Sequence, residues 1–203
     1  PIGDEAKKAA KDLLSKDRSP KLVLSIDATH AGVLTNGRVY PHKYVSDGYT
    51  SFFSKKNGGS AAYDKPVLLH HDSYNDPVGR IVDAKYVPLK KGNALEEDFL
   101  DPDDPGKRGS GFVNVTAWII DPGAISKILD GRYLTVSAGH STDRMICSIC
   151  GNNFFKSYCE HIPGRMYELK GEDASKPDTG LCYYITNNMT YHEVSFVNHP
   201  AQP

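Results

Sequence analysis

The apolar residues of this 203-residue chain occur only in short runs. One of the longest is Ala117-Trp118-Ile119-Ile120, and turn-forming Gly, Pro, Asn or Asp residues punctuate the segments between the runs. Short apolar runs bounded in this way are typical of strands, whereas a membrane-spanning helix needs about 18 or more consecutive apolar residues. Hydrophobic residues still make up 39% of the chain. The sequence therefore predicts a β-rich globular domain and argues against both a membrane partner and wholesale disorder.

The turn signals divide the chain into about seven strands with two or three helices. The predicted strands and helices do not alternate regularly along the chain, as strands and helices do in a doubly wound parallel sheet. The expected fold class is therefore α+β, mainly β, with a barrel-like sheet and peripheral helices. Besides a hairpin over 33–40 that turns at Asn36-Gly37, the predicted strands are 21–27, 66–71, 78–89, 112–120, 133–137, 181–186 and 191–197. The predicted helices are an amphipathic one over 4–14, a short one near 42–53 and one from Asp121-Pro122 to Gly131.

Residues 4–14 are charged on one face and lack the apolar core of a secretory signal, so no export is expected. Residues 90–110 combine lysines, a run of acids, Asp-Pro pairs and glycines, which predicts a mobile loop. The whole chain carries 24 Lys+Arg against 25 Asp+Glu, a net charge of −1. Without a positive field, a nucleic-acid partner is not expected.

The most specific local pattern is a cluster of cysteines followed by a histidine. Cys147-Ser148-Ile149-Cys150 is followed, after eight intervening residues, by Cys159-Glu160-His161. Three thiolates and one imidazole fill the tetrahedron that zinc prefers and leave no position for a catalytic water. The pattern predicts a structural Zn²⁺ that folds a small insert over residues 144–164, and it disfavours a metal-dependent hydrolase, which needs an open position. The alternative is a loop with free thiols and an incidental His161. Cys182 lies apart in an apolar strand and is expected to be a buried core thiol.

Three further segments resemble the motifs of one protein family, in that family's order. They are Pro66 to Asp72 with Asp76 to Val82, then Leu134 to Gly139 with its Ser-x-Gly, and Tyr191 to Ala201. Together they resemble the tailed-phage head-maturation (prohead) serine proteases, which are similar to the herpesvirus maturational proteases (assemblins). The resemblance implies a single protease domain over 1–203, a β-barrel wrapped by helices, and a Cys-x-x-Cys insert of the kind that some phage members carry after the nucleophile.

The resemblance also implies catalytic roles. A serine hydroxyl needs a neutral imidazole within about 2.6–3.2 Å and a third group that orients the imidazole. Ser137 matches the nucleophile, and His71 matches the general base in preference to the adjacent His70. The phage motif offers Glu193 as the orienting group, whereas the herpesvirus enzymes use a second histidine, for which His192 is the candidate. Strand alternation puts these two candidates on opposite faces, so only one of them can reach the base.

The remaining histidines have no spacing partner and are expected on the surface or in loops; those considered are His30, His42, His140 and His199. The function implied by the resemblance is a serine endopeptidase that cleaves scaffold and major capsid proteins, and itself, inside an assembling prohead in the host cytoplasm. The sequence leaves open whether the chain forms a homo-oligomer. The alternative is an inactive, zinc-stabilised module that binds scaffold or capsid. Convergence of Ser137 with His71 discriminates between the two.

Overall fold

A computed structural model describes residues 21–89, 111–169 and 178–200. The helix expected over 4–14 and the loop expected over 90–110 lie outside these ranges. Within them the chain forms twelve strands and two α-helices, α1 (His42–Gly48) and α2 (Pro122–Leu129). The strands are β1 (Leu22–Ala31), β2 (Leu34–Thr35), β3 (Arg38–Val39), β4 (Pro66–Leu69), β5 (Gly79–Pro88), β6 (Gly111–Ile119), β7 (Val136–Thr142), β8 (Met145–Cys147), β9 (Met166–Leu169), β10 (Asp178–Leu181), β11 (Tyr184–Thr186) and β12 (Met189–Phe196).

Six of the strands form the main sheet, in the order β1-β6-β5-β4-β12-β7, which curls into a half-barrel. All neighbours pair antiparallel except β12 and β4, which are parallel. Every second residue of β6 is buried, as the two-residue period of a half-solvated strand requires. These residues join apolar side chains from the other strands, among them Val67, Ile81, Val194 and Phe196, in one core.

The half-barrel ends at β1 and β7, the two edges of the sheet. Some of their Cα atoms come within 8 Å of each other, but no backbone pairing joins the two strands in the part of the chain that the structure describes. A cleft with a volume of about 60 Å³ lies between them. The opening of the half-barrel therefore runs along the strand that carries Ser137.

A smaller four-stranded sheet, ordered β2-β3-β11-β8, continues the main one. Only two residues separate β7 from β8, and two separate β11 from β12. Because β7 pairs with β12 and β8 with β11, the two connections run side by side. The Thr142 hydroxyl joins them, donating to the Asn187 carbonyl at 2.6 Å and accepting from the Asn187 N–H at 3.0 Å.

Two predictions that depend only on residues close together in the sequence, a hairpin turn and a helix start, are confirmed. Asn36 and Gly37 have φ values of 50° and 70° in the turn between β2 and β3, as a type I′ hairpin requires. The Asp121 carboxylate caps α2 by accepting the Ala124 N–H at 2.6 Å, with proline at the start of the helix. None of the helices in the described ranges is long and apolar enough to span a membrane.

The predicted fold class, α+β and mainly β, is confirmed, but the finer picture needs correction. A single barrel-like sheet of about seven strands does not form: six strands make the half-barrel, and the rest form two smaller sheets. The predicted strand 181–186 is interrupted at Cys182-Tyr183, because the Cys182 N–H donates to the Arg165 carbonyl and the Gly164 N–H donates to the Cys182 carbonyl. The sequence also predicted a few helices wrapped around the barrel, and the described ranges contain two α-helices.

Candidate active site and metal centre

His71 lies just beyond the end of β4, where the backbone makes an unusual turn. His70 and His71 both adopt positive φ, 53° and 59°, a conformation that is uncommon for residues other than glycine. Backbone hydrogen bonds to β12 fix the turn: His70 N–H donates to the Phe196 carbonyl at 2.9 Å, and His71 N–H donates to the Ser195 hydroxyl at 3.0 Å. The turn brings the His71 ring to Glu193, with 2.8 Å between Nδ1 and Oε1.

Glu193 is held in place by its own strand and by its neighbour. A β-bulge between Tyr191 and Glu193 sets the register in which Glu193 lies opposite Gly139 of β7. A Cβ at Gly139 would lie 2.1 Å from Glu193 Oε1, so a glycine is required for the carboxylate to lie there. The second oxygen, Oε2, accepts the Ser195 hydroxyl at 2.5 Å. Glu193 is 11% exposed and His71 46% exposed.

Ser137 lies on the neighbouring strand, directly opposite Ser195. Residues paired across two strands point to the same face of a sheet, so Ser137 shares a face with Ser195 and Glu193. It also lines the cleft between β1 and β7. Within the described ranges its hydroxyl makes no side-chain hydrogen bond, and neither does Nε2 of His71. The structure thus joins His71 to Glu193 and places Ser137 on the adjoining strand.

The alternative orienting residue, His192, lies elsewhere. It falls at the bulge of β12, is exposed, and its Nε2 lies 2.9 Å from the Ser141 hydroxyl. Of the two candidates for orienting His71, Glu193 therefore contacts the imidazole, whereas His192 contacts Ser141.

His140 is the titratable residue of β7 that lines the cleft. Its ring lies edge-on to Tyr40, with 5.0 Å between centroids, and also contacts Tyr191. Burial in this aromatic setting lowers the pKa of His140 below its ordinary value of 6.5. His140 therefore contributes a neutral ring to the wall of the cleft near neutral pH, and the expectation that it lies in a loop or on the surface was wrong.

The cysteine cluster is assembled at one end of the small sheet. The sulfurs of Cys147, Cys150 and Cys159 and a ring nitrogen of His161 all lie within 4.8 Å of one another. Tetrahedral zinc holds thiolate and imidazole ligand atoms roughly 3.5–3.8 Å apart, given its bond lengths, so these atoms are close enough to surround one ion after a small contraction. The four residues can therefore hold a metal ion.

Two further observations fit that donor set. The Nδ1 atom of His161 is buried and has no hydrogen-bond partner in the described part of the chain. Burial acts to raise the pKa of Cys147, but hydrogen bonds from the N–H groups of Cys150 and Ile149, together with those from the neighbouring thiols, hold the pKa below its ordinary value. Cys182 differs: burial and then the neighbouring Cys147 raise its pKa to about 12. Cys182 is fully buried and not part of the four-residue group.

Sequence reasoning assigned no role to Ser195, although its hydroxyl contacts both members of the His71–Glu193 pair. The signal was present as Glu-x-Ser, since residues two apart in a strand share a face. The role of His140 had no local signal, because its aromatic partners Tyr40 and Tyr191 come from distant segments. No family model matches the chain, and no match was found among the curated proteins or the solved structures compared with it.

Proposed function

We propose that this chain is a serine endopeptidase with Ser137 as nucleophile, His71 as general base and Glu193 as the orienting carboxylate. The observation that carries the proposal is the 2.8 Å contact between His71 Nδ1 and Glu193 Oε1. It leaves Nε2 as the ring atom available for proton transfer, on the face of the sheet where Ser137 lies in the cleft. This is the arrangement of base and orienting group that serine proteases need.

The proposed reaction uses these groups in order. Nε2 takes the proton of Ser137 as Oγ attacks the scissile carbonyl, and Glu193 stabilises the imidazolium through the Nδ1–H bond. His71 then gives the proton to the leaving amine, and the acyl group stays on Ser137. Water next loses a proton to Nε2 and attacks the ester. His71 returns this proton to Ser137 Oγ as the acyl–oxygen bond breaks, which releases the second product and restores the enzyme. Ser195 holds the carboxylate in position throughout.

The substrates that we infer come from the sequence resemblance. They are scaffold and major capsid proteins in an assembling phage prohead, in the host cytoplasm, together with the chain itself. The cleft at the edge of β7 supports cleavage of extended chain: among the described residues this edge has no strand partner, and such an edge offers backbone donors and acceptors to a peptide. On this proposal the half-barrel is a relative of the herpesvirus maturational protease fold.

We assign zinc to the metal site and a structural role to the ion. Three thiolates and an imidazole are a donor set that zinc favours, and four protein ligands leave no open position. The ion would hold together residues 144–164, which contribute few buried apolar side chains. The chain's own part of this chemistry is to supply four ligands, one from the end of β8 and three from the connection between β8 and β9.

The second candidate function is an inactive, zinc-stabilised module that binds scaffold or capsid. It is favoured by one observation: the Ser137 hydroxyl makes no side-chain hydrogen bond within the described ranges. Catalytic hydrogen bonds are often long in unliganded enzymes and tighten with substrate, so the endopeptidase is preferred.

The experiment that separates the two candidates is labelling with a fluorophosphonate, which reacts with activated serines. We expect one label per chain, found at Ser137 by peptide mass spectrometry. Ser137→Ala should abolish the label, and the matched control Ser141→Ala, on the same strand, should retain it. Absence of labelling in the folded wild-type chain, or a label that survives Ser137→Ala, would contradict the endopeptidase.

A further inference from the structure

Cys182 lies beside the four residues that can hold a metal ion and offers a fifth donor. Its side chain is fully buried, and its thiol forms a hydrogen bond with the sulfur of Cys147. It also interacts electrostatically with Cys159 and Cys150. Because a tetrahedral zinc ion takes four ligands, one of the five donors, the four thiols and the His161 ring, is left over in any single arrangement.

One side of Cys182 is fastened to the Cys-x-x-Cys turn. Both residues that flank Cys182 bond to Ser148, which directly follows Cys147. The Ser148 hydroxyl donates to the Leu181 carbonyl at 3.2 Å and accepts the Tyr183 N–H at 3.0 Å. The Ser148 N–H donates to the Tyr183 carbonyl at 2.9 Å. The backbone around Cys182 therefore follows the turn that carries the first two cysteines of the group.

The other side of Cys182 is fastened to the chain just beyond His161. The Cys182 N–H donates to the Arg165 carbonyl, and the Gly164 N–H donates to the Cys182 carbonyl, each at 2.8 Å. These two partners lie three and four positions after His161. Cys182 and His161 thus approach the group from neighbouring stretches of chain.

The contacts among the sulfurs indicate which donor can be exchanged. Cys147, Cys150 and Cys159 form side-chain hydrogen bonds with one another in all three pairings. These three sulfurs therefore define three corners of a tetrahedron. Two donors, the His161 ring and the Cys182 sulfur, are at hand for the fourth corner. Three thiolates with an imidazole and four thiolates are both donor sets of structural zinc sites.

We propose that Cys182 is an alternative fourth ligand, so that the same three sulfurs bind zinc either with His161 or with the Cys182 thiolate. This inference rests on the zinc assignment made above. When Cys182 takes the fourth corner, its thiol releases a proton to solvent and the His161 ring is set free. Both sets are closed, so the role of the ion stays structural. The ion keeps four protein ligands even when the segment that carries His161 moves away.

Metal analysis of three variants of the full chain tests the exchange. His161→Ala and Cys182→Ser should each retain about one zinc per chain, whereas the double variant should retain none. With Co²⁺ as the probe, His161→Ala should show the charge-transfer absorption of one additional thiolate relative to the wild type. Loss of metal in His161→Ala, or zinc in the double variant, would overturn the role of Cys182 alone. A wild-type chain that binds no zinc would refute the metal site itself, and this inference with it.

A second measurement uses a variant that keeps all four original ligands, so it does not depend on the folding of His161→Ala. Zinc release to a chromogenic chelator should be several-fold faster from Cys182→Ser than from the wild type, because no sulfur then takes the fourth corner while His161 is detached. The matched control Tyr183→Phe, in the same segment, should release zinc at the wild-type rate. Equal rates for Cys182→Ser and the wild type, or equal acceleration in the control, would overturn the proposal.

Discussion

The two sites of this protein are built in opposite ways. The His71–Glu193 contact joins residues 122 positions apart and depends on the parallel pairing of β4 with β12 and the antiparallel pairing of β12 with β7. The four residues that can hold a metal ion all fall between Cys147 and His161, within one short segment of the chain. The first site therefore takes its geometry from the pairing of distant strands, whereas the second is assembled from residues that are close in sequence.

This difference predicts how each site fails. Loss of one group from the first site should remove activity and leave the fold intact, because the strands hold the remaining groups in place. If an ion binds there, its loss should loosen one segment and affect the first site only indirectly, across the connections that Thr142 and Asn187 join. The following predictions test this contrast, in order of decreasing expected effect on activity.

The largest effect is expected for Ser137→Ala. It removes one oxygen from a half-buried strand residue and no core volume, so proteolysis should be abolished and the thermal unfolding midpoint should stay within a few degrees. Cleavage assays and calorimetry measure the two properties on the same sample. Substantial cleavage by the purified variant would show that another residue attacks.

Glu193→Gln should lower kcat by about three to four orders of magnitude, as replacement of an orienting carboxylate by an amide does in serine proteases. The amide keeps the shape but cannot stabilise the imidazolium in the same way. His192→Gln is the matched control, because His192 contacts Ser141 and not His71. If the control lost as much rate as Glu193→Gln, the orienting role of Glu193 would be wrong.

Ser195→Ala should have an intermediate effect. Its hydroxyl donates to Glu193 and accepts the His71 N–H, and a hydrogen bond to a charged group contributes about 1.5–3 kcal/mol. We expect kcat to fall about 10- to 100-fold with KM nearly unchanged. Ser195→Thr, which keeps the hydroxyl, should recover more of the rate than Ser195→Ala; equal losses would point to packing alone.

Metal analysis should find about one zinc per chain. Removal by a chelator should increase hydrogen exchange first in residues 144–164, with a smaller, indirect loss of activity. Cys159→Ser should abolish metal binding, whereas Cys182→Ser should retain it, because Cys182 lies outside the four-residue group. Unchanged exchange in the metal-free segment would refute a structural role for the ion.

The smallest effect concerns stability and pH. The pKa of His140 is lowered by burial below 6.5, so below pH 6.5 the unfolded chain binds a proton that the folded chain does not. The free energy of unfolding should therefore fall as the pH falls from 6.5, by up to about 1.4 kcal/mol per pH unit from this group. His140→Phe should show a smaller loss between pH 6.5 and pH 5.5 in denaturant titrations. Parallel slopes for the two proteins would contradict this prediction.

The sequence by itself determined the features that depend on nearby residues. The Asn36-Gly37 turn and the Asp121 cap follow from the chemistry of two to four adjacent residues. The cysteine and histidine spacing likewise predicted a group that can hold a metal ion. The short apolar runs fixed the mainly β class, because their period and length allow little else.

Only the tertiary structure decided which residues meet. The choice of Glu193 over His192 as the contact of His71 depends on a β-bulge and on the glycine opposite it, Gly139. The pairing of Ser195 with Ser137, and the burial of His140 against two tyrosines, depend on strand register in the same way. Register is set by the combined packing of strands that are far apart in sequence, and a shift of one residue turns every side chain to the other face.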